Sequence, residues 1–181
     1  MVKTALTLVG MILACLSTRT SPDRLLKEAK VTLPEALVTA LPEVKDGTPV
    51  WAKLREENGR ILYVLNVARG ESAVRMSVDA RTKEIVSNVP LKKSYAKLLG
   101  ASKLSMAKAV EIALAKVAGK ATGVEFELKK GKAVAEVKVF LDGKLYEVKL
   151  DAVTGSVIKV EQDDDDDDDD GNDDDADDDD D

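Results

Sequence analysis

Aspartate is the chemistry-bearing residue this chain concentrates. Sixteen of the nineteen residues from Asp163 to Asp181 are aspartate, interrupted only by Gly171, Asn172 and Ala176. Carboxylate oxygens suit hard cations such as Ca²⁺, and a run without nitrogen or sulfur ligands disfavours zinc and copper. One register, Asp166, Asp168, Asp170, Asp174 and Asp177 around Gly171, matches the D-x-D-x-D-G opening of a calcium loop with carboxylates at the ninth and twelfth places. A poly-aspartate run satisfies any aspartate pattern, no helices flank it, and Asp177 is shorter than the bidentate glutamate of such loops. The expected behaviour is weak, multisite uptake of calcium or another hard cation.

The remaining chemistry is sparse. The chain has no histidine and a single cysteine, Cys15, which excludes imidazole catalysis, disulfides and ordinary zinc ligation from the body. No serine lies in a G-x-S-x-G elbow, and the body's carboxylates are scattered among lysines as solvated charges are. A non-enzymatic protein is expected.

Cys15 closes an apolar run. MVKTALTLVGMILACLSTRT has Lys3, a ten-residue, largely apolar run from Ala5 to Ala14, then small and polar residues. Ten residues are too few to span a bilayer of ~30 Å but suit the hydrophobic region of a secretory signal. Ile12-Leu13-Ala14-Cys15 resembles a bacterial lipobox, whose cysteine is lipidated and becomes the mature N-terminus; the alternative is a cysteine discarded with the signal. Either way the chain is expected to be exported from a bacterial cell to the periplasm or envelope, lipid-anchored or otherwise secreted. Residues 1–14 then form the signal peptide and 15–30 a polar tether.

The charge is uneven. Of 34 Asp and Glu, 16 lie in the last nineteen residues, leaving 18 against 27 Lys and Arg in residues 1–162. The protein is a basic body with an acidic appendage.

Elements follow from an internal repeat. At a shift of 72, Gly59 falls on Gly131, Val78-Asp79-Ala80 on Leu150-Asp151-Ala152 and Thr82 on Thr154. At a shift of 73, Leu33, Ala36, Leu37, Ala40 and Leu41 fall on Met106, Ala109, Val110, Ala113 and Leu114, the i, i+3, i+4, i+7, i+8 stripe of an amphipathic helix. Ser105 is the expected N-cap of the second helix and Gly119 its terminator; Pro34 fits the opening turn of the first and Pro42 bounds it. After each helix the period becomes two, over Val124 to Leu128, Val137 to Leu141, Tyr146 to Leu150 and Ser156 to Glu161. The first half repeats this over Val50 to Leu54, Ile61 to Ala68, Ala73 to Val78 and Glu84 to Val89. The expected fold class is α+β: two tandem units, each a short helix on a three- to four-stranded antiparallel sheet that is wet on its other face, plus a disordered acidic tail. The expected boundaries are 31–90 and 103–162 for the units, 91–102 for a linker and 163–181 for the tail.

Val148-Lys149-Leu150-Asp151-Ala152-Val153-Thr154-Gly155-Ser156-Val157-Ile158-Lys159-Val160 resembles the end of a PepSY domain, and Met106 to Ala118 resembles that family's opening helix. In the first half Val78 to Val86 is similar but has Lys83 where the pattern has glycine, as in a diverged copy. Asp79, Thr82, Asp151, Thr154 and Gly155 read as hairpin devices: Asp and Thr side chains bond turn backbone, and glycine takes positive φ without strain. The resemblance implies an exported module of the kind found in metallopeptidase propeptides, with an extracytoplasmic protein such as a peptidase as partner. Nucleic acid is not an expected partner, because the tail opposes phosphate and the body has few aromatics. A membrane is expected only through a lipid anchor. Three roles for the tail stay open: solubility, cation capture, and an arm that contacts a basic surface, its own body included.

Overall fold

The described residues of the computed structural model are 21–163. Ser105 caps the second amphipathic helix as its spacing predicts, and Thr32 caps the first. Thr32 Oγ1 accepts from Glu35 N while Glu35 Oε2 accepts from Thr32 N at 2.9 Å, a closed capping box that starts α2 (Leu33–Ala40). Ser105 Oγ accepts from Lys108 N at 3.2 Å and starts α4 (Met106–Lys116). Four of the five positions the spacing selects on each helix are buried: Leu33, Ala36, Leu37 and Ala40 on α2, and Met106, Ala109, Val110 and Ala113 on α4; Leu41, just past α2, and Leu114 are half-buried.

The strands are β1 (Thr48–Glu57), β2 (Arg60–Arg69), β3 (Ser72–Asp79), β4 (Ile85–Leu91), β5 (Lys120–Lys129), β6 (Lys132–Leu141), β7 (Lys144–Asp151) and β8 (Val157–Asp163). Every boundary in the second set lies 72 residues after its counterpart in the first. A bulge recurs at Pro49/Trp51 and Ala121/Gly123, and another at Ser77/Val78 and Lys149/Leu150.

All eight strands form one antiparallel sheet in the order β4-β3-β2-β1-β5-β6-β7-β8. The two repeats are joined edge to edge where β1 meets β5, through Trp51 opposite Glu125, Ala52 opposite Val124 and Lys53 opposite Gly123. Shifting by 72 exchanges the first and third pairs and returns the second to itself, so a pseudo-twofold axis passes between Ala52 and Val124. Edge pairing here removes two exposed strand edges that separate units would each have to protect. It also merges both sets of apolar residues into one core beneath the helices, running from Leu25 to Ala152 and including Tyr63, Leu65, Met76, Val110, Val137 and Leu150.

The expected pair of separate sheets is thus one eight-stranded sheet, and two further expectations change. The expected 15–30 tether and 91–102 linker contain helices, α1 (Pro22–Glu28) and α3 (Ala96–Ala101), so each repeat opens with two helices. Leu25 and Leu26 of α1 and Leu98 of α3 are buried, and full burial of a leucine stabilises by about 1.5–3 kcal/mol. After each short helix the chain is fastened to the sheet in the same way: Lys30 N and Val31 N donate to Ala80 O, and Lys103 N and Leu104 N to Ala152 O. Residues 91–102 also hold the end of β4. Gly119 is not a left-handed terminator: α4 ends at Lys116 with Val117 as its cap, and Gly119 lacks a positive φ. Its glycine is required by close approach to β6 instead.

Candidate interaction face

Each repeat closes its last hairpin with an aspartate side chain bonded to turn backbone. Asp79 Oδ1 accepts from Arg81 N at 2.8 Å and Thr82 N at 3.1 Å; Asp151 Oδ1 accepts from Val153 N and Thr154 N, both at 2.8 Å. Thr82 Oγ1 and Thr154 Oγ1 accept from Glu84 N and Ser156 N. Lys83 takes φ 68° where Gly155 takes 76°, so the first turn keeps its geometry with a lysine in the left-handed position. A Cβ on Gly155 would lie 3.3 Å from Ile112 Cδ1 and 3.5 Å from Leu104 Cδ1, and the repeat places the smaller Thr39 and Val31 at those positions in the first unit. Gly155→Ala is therefore expected to cost about 1–2 kcal/mol through left-handed strain. Lys83→Gly should change stability by less than about 0.5 kcal/mol, because relief of strain is offset by backbone entropy and by loss of the exposed Lys83–Glu35 pair at 2.7 Å. Urea denaturation of the two variants checks the asymmetry.

Burial pushes the Asp79 carboxyl up, but the two backbone donors and Arg60, 3.6 Å away, outweigh it and hold it below its ordinary value. Asp151 is held low by Thr154 N and Val153 N. Depressed carboxyls stabilise the fold fully above their unfolded value of about 3.9, and that contribution is lost as pH falls through the lower folded value. Stability should thus decline below about pH 4; Asp79→Asn, which keeps an acceptor oxygen without the charge, should flatten that decline in urea titrations while lowering stability at neutral pH.

The pseudo-twofold puts the two turns at opposite ends of the sheet, so Asp79 and Asp151 never form a carboxylate pair. Both are consumed by turn backbone. Among the described residues no group of His, Cys, Asp and Glu is arranged to hold a metal. Cys15 and Asp166, Asp168, Asp170, Asp174 and Asp177 lie outside the described residues.

Among the described residues no helix packs on the side of the sheet opposite α2 and α4, where Leu62, Val64, Asn66 and Ser77 are buried and Trp51, Lys53 and Arg75 are half-buried. Ile61, Tyr63, Leu65 and Val67 of β2 enter the helix-side core, so Leu62, Val64 and Asn66 face the other way. Register aligns two rows across all eight strands. One runs Val89, Arg75, Asn66, Trp51, Glu125, Glu136, Lys149, Lys159; the other runs Ser87, Ser77, Val64, Lys53, Gly123, Lys138, Glu147, Glu161. The only tryptophan, Trp51, sits half-buried at the seam with the Arg55 guanidinium 5.4 Å from its ring centroid. Arg75 Nε donates to Asn66 Oδ1 at 3.1 Å, and Asn66 Nδ2 donates to the Tyr95 hydroxyl at 3.1 Å, tying the residue before α3 to β2.

The second half of the face is a lysine–carboxylate lattice. Lys129 Nζ lies 2.6 Å from Glu127 Oε1 and 2.7 Å from Glu136 Oε1, and Lys149 Nζ lies 2.7 Å from Glu136 Oε1. Glu127 Oε1 is enclosed and has the Lys129 contact without hydrogen-bond alignment. Burial, reinforced by the Glu136 charge, pushes the Glu127 carboxyl up. Burial also pushes Glu136 up, but hydrogen bonds from Lys129 and Lys149 outweigh it and leave Glu136 below its ordinary value. Lys129 and Lys149 are raised by the carboxylates they serve. Together these side chains form one cluster of mutually compensating charges. Sequence reasoning expected a helix-free charged face but not its members: Trp51, Lys53 and Arg55 alternate at a spacing of two, whereas their neighbours on β2, β3 and β5 depend on register.

No helix of the described residues is long and apolar enough to cross a membrane. Residues 103–161 match the family model described as peptidase propeptide and YPEB domain. Similar solved structures include a Clostridium difficile 630 protein described as a lipoprotein, 20% identical with a TM-score of 0.46, covering 77% of this chain and 97% of that one. Another is the C-terminal domain of Bacillus megaterium YpeB, 15% identical with a TM-score of 0.31, covering 74% of this chain and 66% of that one. No curated protein matches the chain significantly. With the hairpin signature built as a turn on an antiparallel sheet beneath an amphipathic helix, residues 103–161 of this chain form a PepSY domain.

Proposed function

We propose that this chain is an exported, non-enzymatic binding module whose helix-free face engages an extracytoplasmic protein, with a secreted peptidase as the partner class. The observation that carries this reading is the face itself: Trp51 and Arg55 at the junction of two repeats, on a sheet side that no helix covers. Aromatic and arginine side chains are the groups most enriched among energetic anchors of protein interfaces. The family description, peptidase propeptide, supports the choice of partner. Export and a lipid on Cys15 rest on the N-terminal sequence, and collection of calcium or another hard cation rests on the aspartate run.

The test is hydrolysis of a peptide substrate by a secreted thermolysin-type metallopeptidase in the presence of the full chain. The reading expects slowing at micromolar protein, and at least a tenfold weaker effect, about 1.4 kcal/mol, for Trp51→Ala with Arg55→Glu. Absence of slowing across a panel of such enzymes overturns the peptidase partner. Slowing that the double substitution leaves unchanged removes the face from the account.

A further inference from the structure

The pseudo-twofold gives each repeat an outer edge strand, β4 for the first and β8 for the second. The two edges are built differently. On the β4 side, Arg81 in the preceding turn is ion-paired with Glu28, Asn88 is polar, and Pro90 removes a donor from the strand. At a shift of 72 those positions in the second repeat hold Val153, Val160 and Gln162, and Ile158 takes the place of Val86. Val153, Ile158 and Val160 are 42%, 57% and 44% exposed, three of the six large apolar residues found exposed among those described; β4 exposes one, Val89. The β8 edge therefore lacks the polar and proline devices that blunt β4, and apolar side chains flank its open backbone.

The residues of β8 select what covers it. Val160 stands opposite Val148 on the helix side, while Lys159, opposite Lys149, and Glu161, opposite Glu147, lie on the helix-free side. We propose that β8 pairs antiparallel with β8 of a second copy, about a twofold axis at Val160. That register opposes Val160 to itself, Lys159 to Glu161 of the second copy, and Glu161 to Lys159 of the second copy. Unlike charges directly opposite stabilise a cross-strand pair and like charges destabilise it; an axis at Lys159 or at Glu161 would oppose that charge to itself. Within one copy Lys159 and Glu161 are ion-paired, so pairing closes an alternating ring of four charges. Each copy offers the same strand, as a closed twofold contact requires. The arrangement is the one by which β1 and β5 already join the repeats, antiparallel and about a twofold. Seven residues a side is well below the roughly 20–30 of a standard interface, so the expected dissociation constant is on the order of 0.1 mM. The two Asp163 residues lie about 20 Å apart along the paired strands, beyond the ~8 Å over which charge acts at physiological salt. The β8 edge is distinct from Trp51 and Arg55 and does not depend on the peptidase reading of the helix-free face.

Sedimentation equilibrium of the full chain at about 0.15 M salt, over protein concentrations from about 10 µM to about 1 mM, reads the association. Lys159→Glu and Glu161→Lys each oppose like charges across the axis and should each weaken dimerisation about tenfold or more. An equimolar mixture of the two variants opposes unlike charges again and should recover the unsubstituted constant within about threefold. The net charge of −7 becomes −9 in one variant and −5 in the other, so attraction of opposite overall charges does not explain recovery. Far-ultraviolet circular dichroism checks that each variant keeps its fold. In a chain with Cys15→Ser, Val160→Cys should cross-link to a dimer under mild oxidation, because directly opposed strand residues have Cα atoms about 4.5–5.5 Å apart, within the span of a disulfide. Asn88→Cys, at the same place on β4, should stay monomeric. Monomer throughout the concentration range overturns the proposal, as does a dimer that both single substitutions leave intact. Weakening in both variants without recovery in the mixture overturns the register at Val160, and equal cross-linking through Asn88→Cys overturns the choice of β8.

Discussion

Replacing Gly119 by alanine is expected to lower the unfolding free energy by about 2–3 kcal/mol, near the upper range for overpacking a close contact. An added Cβ would lie 2.3 Å from Phe140 O, 2.9 Å from Phe140 C and 2.9 Å from Val139 Cγ1. The nearest obstacle is backbone of β6, held in the ladder to β5 and β7, and no rotamer change can remove it. The repeat supplies an internal comparison, since Gly47 occupies the same place in the first unit. There a Cβ would meet Val67 Cγ1 at 2.6 Å, Val44 Cγ1 at 2.8 Å and Val44 O at 2.8 Å. Two of those three atoms are methyls that can rotate, so Gly47→Ala should cost less than Gly119→Ala. Urea denaturation measures both, and a shift in midpoint without a change in slope is the signature of lost stability.

Val124→Asp is expected to be more damaging, by about 3–5 kcal/mol, because it places a carboxylate without a partner in the helix-side core. Val124 is 3% exposed and stands opposite Ala52 on the pseudo-twofold axis. The location makes the consequence diagnostic. If β1 and β5 join the repeats into one cooperative sheet, a lesion on β5 should destabilise the first repeat as much as the second. Fluorescence of Trp51, which belongs to the first repeat, should then report the same lowered midpoint as the far-ultraviolet circular dichroism of the whole sheet. Two separated transitions, with Trp51 following the more stable one, are the contrary result.

Strands and turns were legible because their signals are local. The alternation of Val137, Val139 and Leu141, the Asp142-Gly143 turn and the D-A-x-T-G device each specify geometry within a few residues. The helices α1 and α3 were not, since seven and six residues are too short to display a stripe, and Tyr95 gives α3 no side-chain cap. Extending the 73-residue shift upstream would have exposed them, because Leu25 falls on Leu98 and Val31 on Leu104. The single sheet was hidden for another reason. Edge pairing of β1 with β5 rests on three opposed pairs far apart in sequence, with no turn to announce it. One sign was present: Ile61 to Ala68 of β2 is buried on both faces, and its apolar run reads as a strand inside a wide sheet rather than one in a small unit. The face followed the same logic. Its charged alternation was visible, whereas the meeting of Trp51 with Asn66 and Glu125, and the separation of Asp79 from Asp151, are products of register and of the pseudo-twofold.

Native-state amide hydrogen exchange tests most directly whether the two repeats act as one body. The fold described here predicts that the most protected amides of β2 and β6, together with those of Ala52 and Val124 at the seam, exchange only through global unfolding. Their opening free energies should then agree within about 0.5 kcal/mol and fall equally with denaturant. Two protection levels, one for residues 48–91 and another for 120–163, differing by more than about 1 kcal/mol with the seam amides opening first, would contradict it.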